Sequence, residues 1–157
     1  TQGLEKSIRE LSTNMGASQV LQASDLIGKH VQVPSSKSPL DAVNGLRGSV
    51  VIPDGVENVT VSIKDEHDQV IKTISLDALS DGVLDFSWEG LDASGNQRAP
   101  GFYNVSASGL MNGENVALTT CGTFKVNSVA NDRNGKGVII NVEGLGGLAM
   151  DEIIKIT

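Results

Sequence analysis

The chain has 157 residues, of which 39% are hydrophobic and 20% are charged, and this composition is typical of a folded globular protein. Its formal net charge of −7 argues against nucleic acid or an anionic membrane surface as a partner, because both are bound through clustered Lys and Arg. No apolar run reaches the roughly 20 residues that a membrane-spanning helix needs, so we expect no membrane insertion.

The first predicted element is a helix from Gln2 to Met15. Its apolar residues Leu4, Ile8, Leu11 and Met15 recur at helical spacing and form one narrow stripe. A helix this short is marginal alone in water, so the stripe needs a partner. That partner is either the chain itself, a second helix or another copy of the protein. These four residues are therefore the candidates for self-association. Because the chain starts at Thr1 rather than Met, we expect it to begin inside a longer chain.

The period of the apolar residues then changes from helical to extended. A weaker helical segment at 18–25 is followed by a strand at 26–33, which Pro34 ends, and by a polar loop at 35–39. Between residues 46 and 110 we predict five or six short strands at a spacing of about ten residues, which is typical of a small β-sandwich. The strands that follow have few large residues, so we expect them to pair with the strand at 26–33.

The stretch from 84 to 105 holds most of the aromatic residues of the chain. Phe86 and Trp88 alternate with polar residues on one predicted strand, and Tyr103 begins a similar alternation on the next. Phe102 adds a fourth ring to this concentration. The stretch therefore predicts the centre of the core, with Phe86, Trp88 and Tyr103 as its structural residues.

The sequence carries no pattern of convergent catalytic groups, and we expect no enzyme activity, cofactor or metal. His30 and His67 are far apart, with no Cys or carboxylate at ligand spacing. Cys121 is the only cysteine, which excludes an internal disulfide and predicts a small buried strand residue rather than a nucleophile.

One loop resembles a calcium site. Asp92, Ser94 and Asn96 match the first three ligand positions of a calcium loop, but Tyr103 stands where the bidentate Glu is required. We therefore predict a turn in which Asp92 bonds its own backbone.

Several motifs along the chain resemble those of one protein family. Two of them flank the central stretch: the Leu-Ile-Gly-Lys-His-Val run at 26–31 and the Gly-Leu-Gly run at 144–146. Nearly the whole chain resembles flagellar hook-capping proteins, also called basal-body rod modification proteins, without their N-terminal export and assembly region. The chain departs from the family at His67-Asp68-Gln69, where a polar residue followed by Gly is usual. The central residues of the match are Asp65, 70–74, 82–86, Trp88, Gly90, Asp92, Gly95, Pro100, Gly101 and Tyr103.

The resemblance implies a mainly β fold with three parts. An N-terminal helical segment occupies residues 1–25. A Fn-III-like (immunoglobulin-like) sandwich at 47–111 is inserted into a small Tudor-like β-barrel built from 26–46 and 112–157. This arrangement would supply partners for the otherwise unpaired flanking strands.

The resemblance also implies a function. The protein would be exported by the flagellar secretion apparatus and would sit, as a homo-oligomer, at the distal end of the growing hook. There it would act on flagellar hook protein as a non-catalytic scaffold for ordered polymerisation. The alternative is a carbohydrate-binding or spacer module of a secreted enzyme, which would need several exposed aromatic side chains.

Overall fold

The structure, a computed structural model, describes residues 22–76, 82–132 and 137–156. Most of these residues lie in antiparallel strands, and two short 3-10 helices, Ser24–Leu26 and Met150–Glu152, lie outside the sheets. The strands are β1 His30–Pro34, β2 Lys37–Leu40, β3 Leu46–Ile52, β4 Val56–Lys64, β5 Val70–Leu76, β6 Gly82–Trp88, β7 Gly101–Met111, β8 Glu114–Asn131, β9 Val138–Val142, β10 Gly146–Ala149 and β11 Lys155–Ile156.

Residues 32–123 form one compact unit with two antiparallel sheets. In the first sheet, β3 lies between β6 and β8. In the second, β4 lies between β5 and β7, and β7 also pairs with β2 and with the start of β8. Alternate residues of both sheets point inward, which is the arrangement of a β-sandwich.

Strand β8 takes part in both sheets of this unit. Its residues 114–118 pair with β7, and its residues 119–122 pair with β3. A strand that passes from one sheet to the other closes the sandwich along that side. The opposite side is bordered by β5 and β6, each of which pairs with only one strand in the described part of the chain.

The core of the sandwich consists mainly of branched aliphatic side chains, because alternate positions of β3, β4 and β7 carry them. Its two large rings are Phe86 and Trp88, both from β6. The buried residues of this core are Leu40, Leu46, Val50, Ile52, Val56, Val59, Val61, Ile63, Ile71, Phe86, Trp88, Val105 and Ala107.

The described residues of the second compact unit are 22–31, 124–132 and 137–156. The last part of β8 pairs with β9, and β9 pairs with β10, so these strands form an antiparallel meander. Strand β1 pairs with β8 and β11, which is the pairing expected for the strand at 26–33. Phe124, Val126 and Ile140 are fully buried and form the centre of this unit.

The predicted fold class is confirmed, since the chain is mainly β with a sandwich at its centre. The polar loop expected at 35–39 is wrong: β2 begins at Lys37, because the first residues of β7 offer it free backbone partners. The compact sandwich unit is wider than the expected range 47–111, since β2 and the start of β8 pair with β7. The discontinuous Tudor-like barrel and the exact domain division stay predictions.

No helix among the described residues is long and apolar enough to cross a membrane.

Candidate interaction surface

Two aromatic side chains fix the segment that connects β6 with β7. The rings of Trp88 and Tyr103 meet edge to face, with centroids 5.4 Å apart and planes at 80°. Trp88 Nε1 donates to the Leu91 carbonyl oxygen at 2.8 Å, and the Tyr103 hydroxyl donates to the Ala99 carbonyl oxygen at 2.6 Å. The connecting segment is therefore held to the core near both of its ends.

Between these anchors lies a turn built by one carboxylate. Asp92 Oδ1 accepts the backbone N–H groups of Ser94 and Asn96 at 3.0 and 2.9 Å. Asp92 Oδ2 lies 3.4 Å from Arg98 Nε. The predicted self-bonded turn is therefore confirmed, and the same carboxylate also pairs with Arg98.

A second carboxylate turn joins β4 to β5. Asp65 Oδ1 accepts the backbone N–H groups of His67 and Gln69 at 2.9 and 3.0 Å. The Gln69 N–H bond is the main reason that the pKa of Asp65 lies below its ordinary value of 3.8. Asp68 takes φ = 62° in this turn, which is in the left-handed region that Gly adopts most readily.

The Asp65 turn and the segment that follows the Asp92 turn border a groove at one end of the sandwich. Its volume is about 460 Å³, and it is lined by residues 65–67 from one side and 98–103 from the other. Phe102 stands in its wall and is 47% exposed. All five aromatic residues of the chain lie in the described part, and Phe102 is the only exposed ring among them. The groove therefore combines an exposed ring with charged rims.

The geometry of this unit agrees with the comparisons to known proteins. The sequence model of the FlgD Ig-like domain matches residues 36–113, which covers most of the sandwich. The chain is 30% identical to the basal-body rod modification protein FlgD of Escherichia coli K12 over 165 residues, which covers 98% of this chain and 70% of that protein. The chain belongs to the FlgD family. The same protein of Salmonella typhimurium LT2 is 29% identical, with 95% and 69% of the two chains covered.

Two solved FlgD structures share the fold. FlgD from Xanthomonas campestris superposes with a TM-score of 0.74 at 30% identity, over 88% of this chain and 99% of that one. That structure was described in connection with the hook capping essential for flagellar assembly. FlgD from Pseudomonas aeruginosa superposes with a TM-score of 0.72 at 31% identity, over 84% and 98% of the two chains.

The residues singled out in the sequence fall in three places. Phe86 and Trp88 lie in the buried core of the sandwich, and Tyr103 packs against it while half-buried. The four candidates for self-association, Leu4, Ile8, Leu11 and Met15, lie outside the described residues. His30 and His67 belong to different compact units, and the described residues contain no group of three metal-ligating side chains.

The groove is the feature of this chain that the sequence did not reveal. Phe102 belongs to the predicted aromatic stretch but not to its predicted structural residues, and its side chain is 47% exposed. The signal was present in the alternation itself: Val105 and Ala107 face inward, as does Tyr103 in part, so Phe102 must face the other way. The approach of residues 65–67 to 98–103 could not be read from the sequence, since it depends on how β4 pairs with β7.

Proposed function

We propose that this chain is part of a non-catalytic scaffold that caps the growing flagellar hook and promotes the ordered polymerisation of hook subunits. The observation that carries the proposal is the extent of the family likeness. It covers 98% of the chain against E. coli FlgD, and the Xanthomonas structure described in terms of hook capping superposes with a TM-score of 0.74. The proposed location is the distal end of the hook, outside the cell, reached through the flagellar secretion apparatus.

A cap of this kind acts through non-covalent contacts with hook protein. It must be rigid enough to position an incoming subunit, yet its contacts must be weak enough to release that subunit once it is in place. A sandwich with a dense aliphatic core provides the rigidity. One half-exposed aromatic ring on an acidic chain supports a limited, partly polar contact area.

The same scaffold is proposed to be a homo-oligomer that assembles through the N-terminal segment. The stripe Leu4, Ile8, Leu11 and Met15 is its candidate contact face. In the longer protein, Leu11→Asp should lower the oligomer mass measured by light scattering while the far-UV circular dichroism of the β units is retained. Thr13→Asp, on the opposite side of the predicted helix, is the matched control. An unchanged mass for Leu11→Asp would reject this face.

Deletion of the gene tests the function as a whole. We expect loss of swimming and the appearance of unpolymerised hook protein in the culture medium, with both defects reversed by the full-length gene. Normal hooks and normal swimming in the deletion strain would overturn the proposal.

The alternative of a carbohydrate-binding module loses its main support in this structure. Trp88, the ring best suited to stack on a sugar, is buried, and Phe102 is the only exposed ring among the five, all of which are described. Sugar sites usually need several such rings on one face.

A further inference from the structure

We propose that the groove between residues 65–67 and 98–103 is the surface that holds a protein subunit, and that it recognises an apolar segment carrying a Lys or Arg side chain. The inference deepens the proposed function and rests on it, because it names the contact through which the scaffold would hold an incoming subunit.

Phe102 provides the apolar part of the proposed binding surface. The residue is 47% exposed, whereas Phe86, Trp88 and Phe124 are buried and Tyr103 is half-buried. Phe102 and Pro100 both line the groove. Exposed aromatic residues next to a concave surface are over-represented at the centres of protein interfaces. An aliphatic side chain placed against this ring would remove both from water.

The wall that carries Phe102 is fixed before any partner arrives. Phe102 pairs with Pro39 in the β2–β7 ladder, and its neighbour Tyr103 is held by Trp88 and by the hydrogen bond to Ala99. Residues on the other side are held by the Asp65 turn. A groove with rigid walls loses little conformational entropy on binding, which favours affinity from a small contact area.

The charged side chains around the groove provide the second part of the proposed binding surface. Arg98 is the one Lys or Arg among the lining residues, and its Nε lies 3.4 Å from Asp92 Oδ2, so a negative charge stands beside this positive one. Glu66 is exposed, and its Oε1 lies 3.5 Å from His67 Nε2. Asp65 adds a second carboxylate to the lining of the groove. The remaining charge at the rim is negative, which complements a Lys or Arg. Exposed charges of this kind govern specificity and association rate more than affinity.

Two substitutions separate the two halves of the proposal. Phe102→Thr removes the ring but keeps a residue suited to a strand, and Glu66→Lys reverses the charge at the rim. Val83→Thr, at a half-exposed strand position on the other sheet, is the control for the first. Glu114→Lys, at an exposed position at the start of β8, is the control for the second. Asp65 is left intact because its carboxylate forms the turn.

The binding measurement uses the full-length protein and purified monomeric hook protein as the probe. Phe102→Thr should weaken binding about tenfold, the usual effect of losing an aromatic anchor. Glu66→Lys should weaken it several-fold at low salt, with the difference fading at about 1 M salt, where the Debye length is about 3 Å. Both controls should bind within about twofold of the unaltered protein, and all four variants should show its melting temperature.

Complementation of the deletion strain distinguishes the two levels of failure. If the deletion strain forms normal hooks, the proposed function fails. If the deletion strain lacks hooks but Phe102→Thr and Glu66→Lys both restore swimming and bind hook protein like their controls, the groove is overturned while the function stands. If Phe102→Thr weakens binding of hook protein but Glu66→Lys has no effect at low salt, the bound segment does not need a Lys or Arg, and that part of the proposal is overturned.

Discussion

The ring of Tyr103 stands edge-on to that of Trp88, and this contact joins the start of β7 to the end of β6 inside the sandwich. The same Tyr103 reaches outward with its hydroxyl to the Ala99 carbonyl oxygen. One side chain therefore contributes to the core and also positions the segment that forms one wall of the groove. Its two roles can be separated by substitution.

Tyr103→Phe should lower the free energy of unfolding by about 0.5–1.5 kcal/mol, because it removes one hydrogen bond and keeps the ring. Tyr103→Leu should cost about 0.5–1.5 kcal/mol more, since it also removes the edge-to-face contact with Trp88. Urea unfolding followed by the fluorescence of Trp88, the only tryptophan, measures both. Equal stability of the Phe variant and the unaltered protein would show that the bond to Ala99 contributes nothing.

Gly48 should not tolerate a side chain. It lies in the middle of β3 between Phe86 and Gly122, and a Cβ atom placed there would lie 2.6 Å from the Cys121 carbonyl oxygen and 2.7 Å from Phe86 Cζ. Gly48→Ala should therefore cost about 1–3 kcal/mol of stability through overpacking. Chemical denaturation measures the change.

Gly55→Ala is the control for this substitution. Gly55 has φ = 83° but open space around it, so its replacement by Ala introduces backbone strain without a steric clash. We expect its cost to be smaller than that of Gly48→Ala. An equal or greater cost would contradict the assignment of the Gly48 effect to Phe86 and the Cys121 carbonyl.

The sequence predicted the strands well where apolar residues alternate, and it failed where tertiary contacts decide. Val59, Val61 and Ile63 of β4 alternate and are all buried as expected. In β1, however, the polar Gln32 is buried between Val31 and Val33, and it has two hydrogen-bonding partners there. The need for glycine at 48 is equally invisible in the sequence, since it arises from a ring on β6 and a carbonyl on β8.

The partners of Gln32 should be energetically coupled. Ser49 Oγ donates to Gln32 Oε1 at 3.0 Å, and Gln32 Nε2 donates to Thr123 Oγ1 at 3.3 Å. Ser49→Ala should cost about 1–3 kcal/mol, because it leaves a buried acceptor without this donor. Ser87→Ala, at an exposed strand position, should change stability by less than about 0.5 kcal/mol.

A double-mutant cycle tests this coupling directly. Once Gln32→Leu has removed the acceptor, Ser49→Ala should cost less than it does alone, by about 0.5–3 kcal/mol. Strictly additive costs in urea unfolding would show that the two side chains do not stabilise each other.

The turn at Asp65 should make the free energy of unfolding depend on pH in the acidic range. The pKa of Asp65 lies below its ordinary value of 3.8, mainly because the Gln69 N–H donates to the carboxylate, with further help from the His67 N–H. A carboxyl whose pKa is lower in the folded state stabilises it above the unfolded pKa, and this stability is lost as the pH falls through the folded pKa. Asp65→Asn should therefore reduce the difference in stability between pH 5 and pH 2.

An NMR titration of the Asp65 carboxyl carbon gives the direct measurement. Its midpoint should fall below 3.8 in the folded protein and rise to the ordinary value in urea. A folded midpoint at or above the ordinary value would contradict the role assigned to the Gln69 and His67 amides.

The Cys121 thiol should react with a labelling reagent only when the protein unfolds locally or globally. Its side chain is fully buried on β8, as expected from the sequence, and burial raises the pKa of its thiol above the ordinary value of 9.0. A thiol-specific reagent should label the folded protein at least about a hundredfold more slowly than the unfolded chain, because access requires local or global unfolding. Rapid stoichiometric labelling of the folded protein would contradict this burial.

The raised pKa of the Cys121 thiol also has a consequence in alkali. In the folded state the thiol keeps its proton at a pH at which the thiol of the unfolded chain has lost it. The stability that the buried neutral thiol contributes is therefore present below pH 9.0 and is lost as the pH rises through the folded pKa. Between pH 8 and pH 10.5 the unaltered protein should lose more stability in urea unfolding than Cys121→Ala does. Parallel losses in the two proteins would mean that other groups, and not this thiol, govern the alkaline transition.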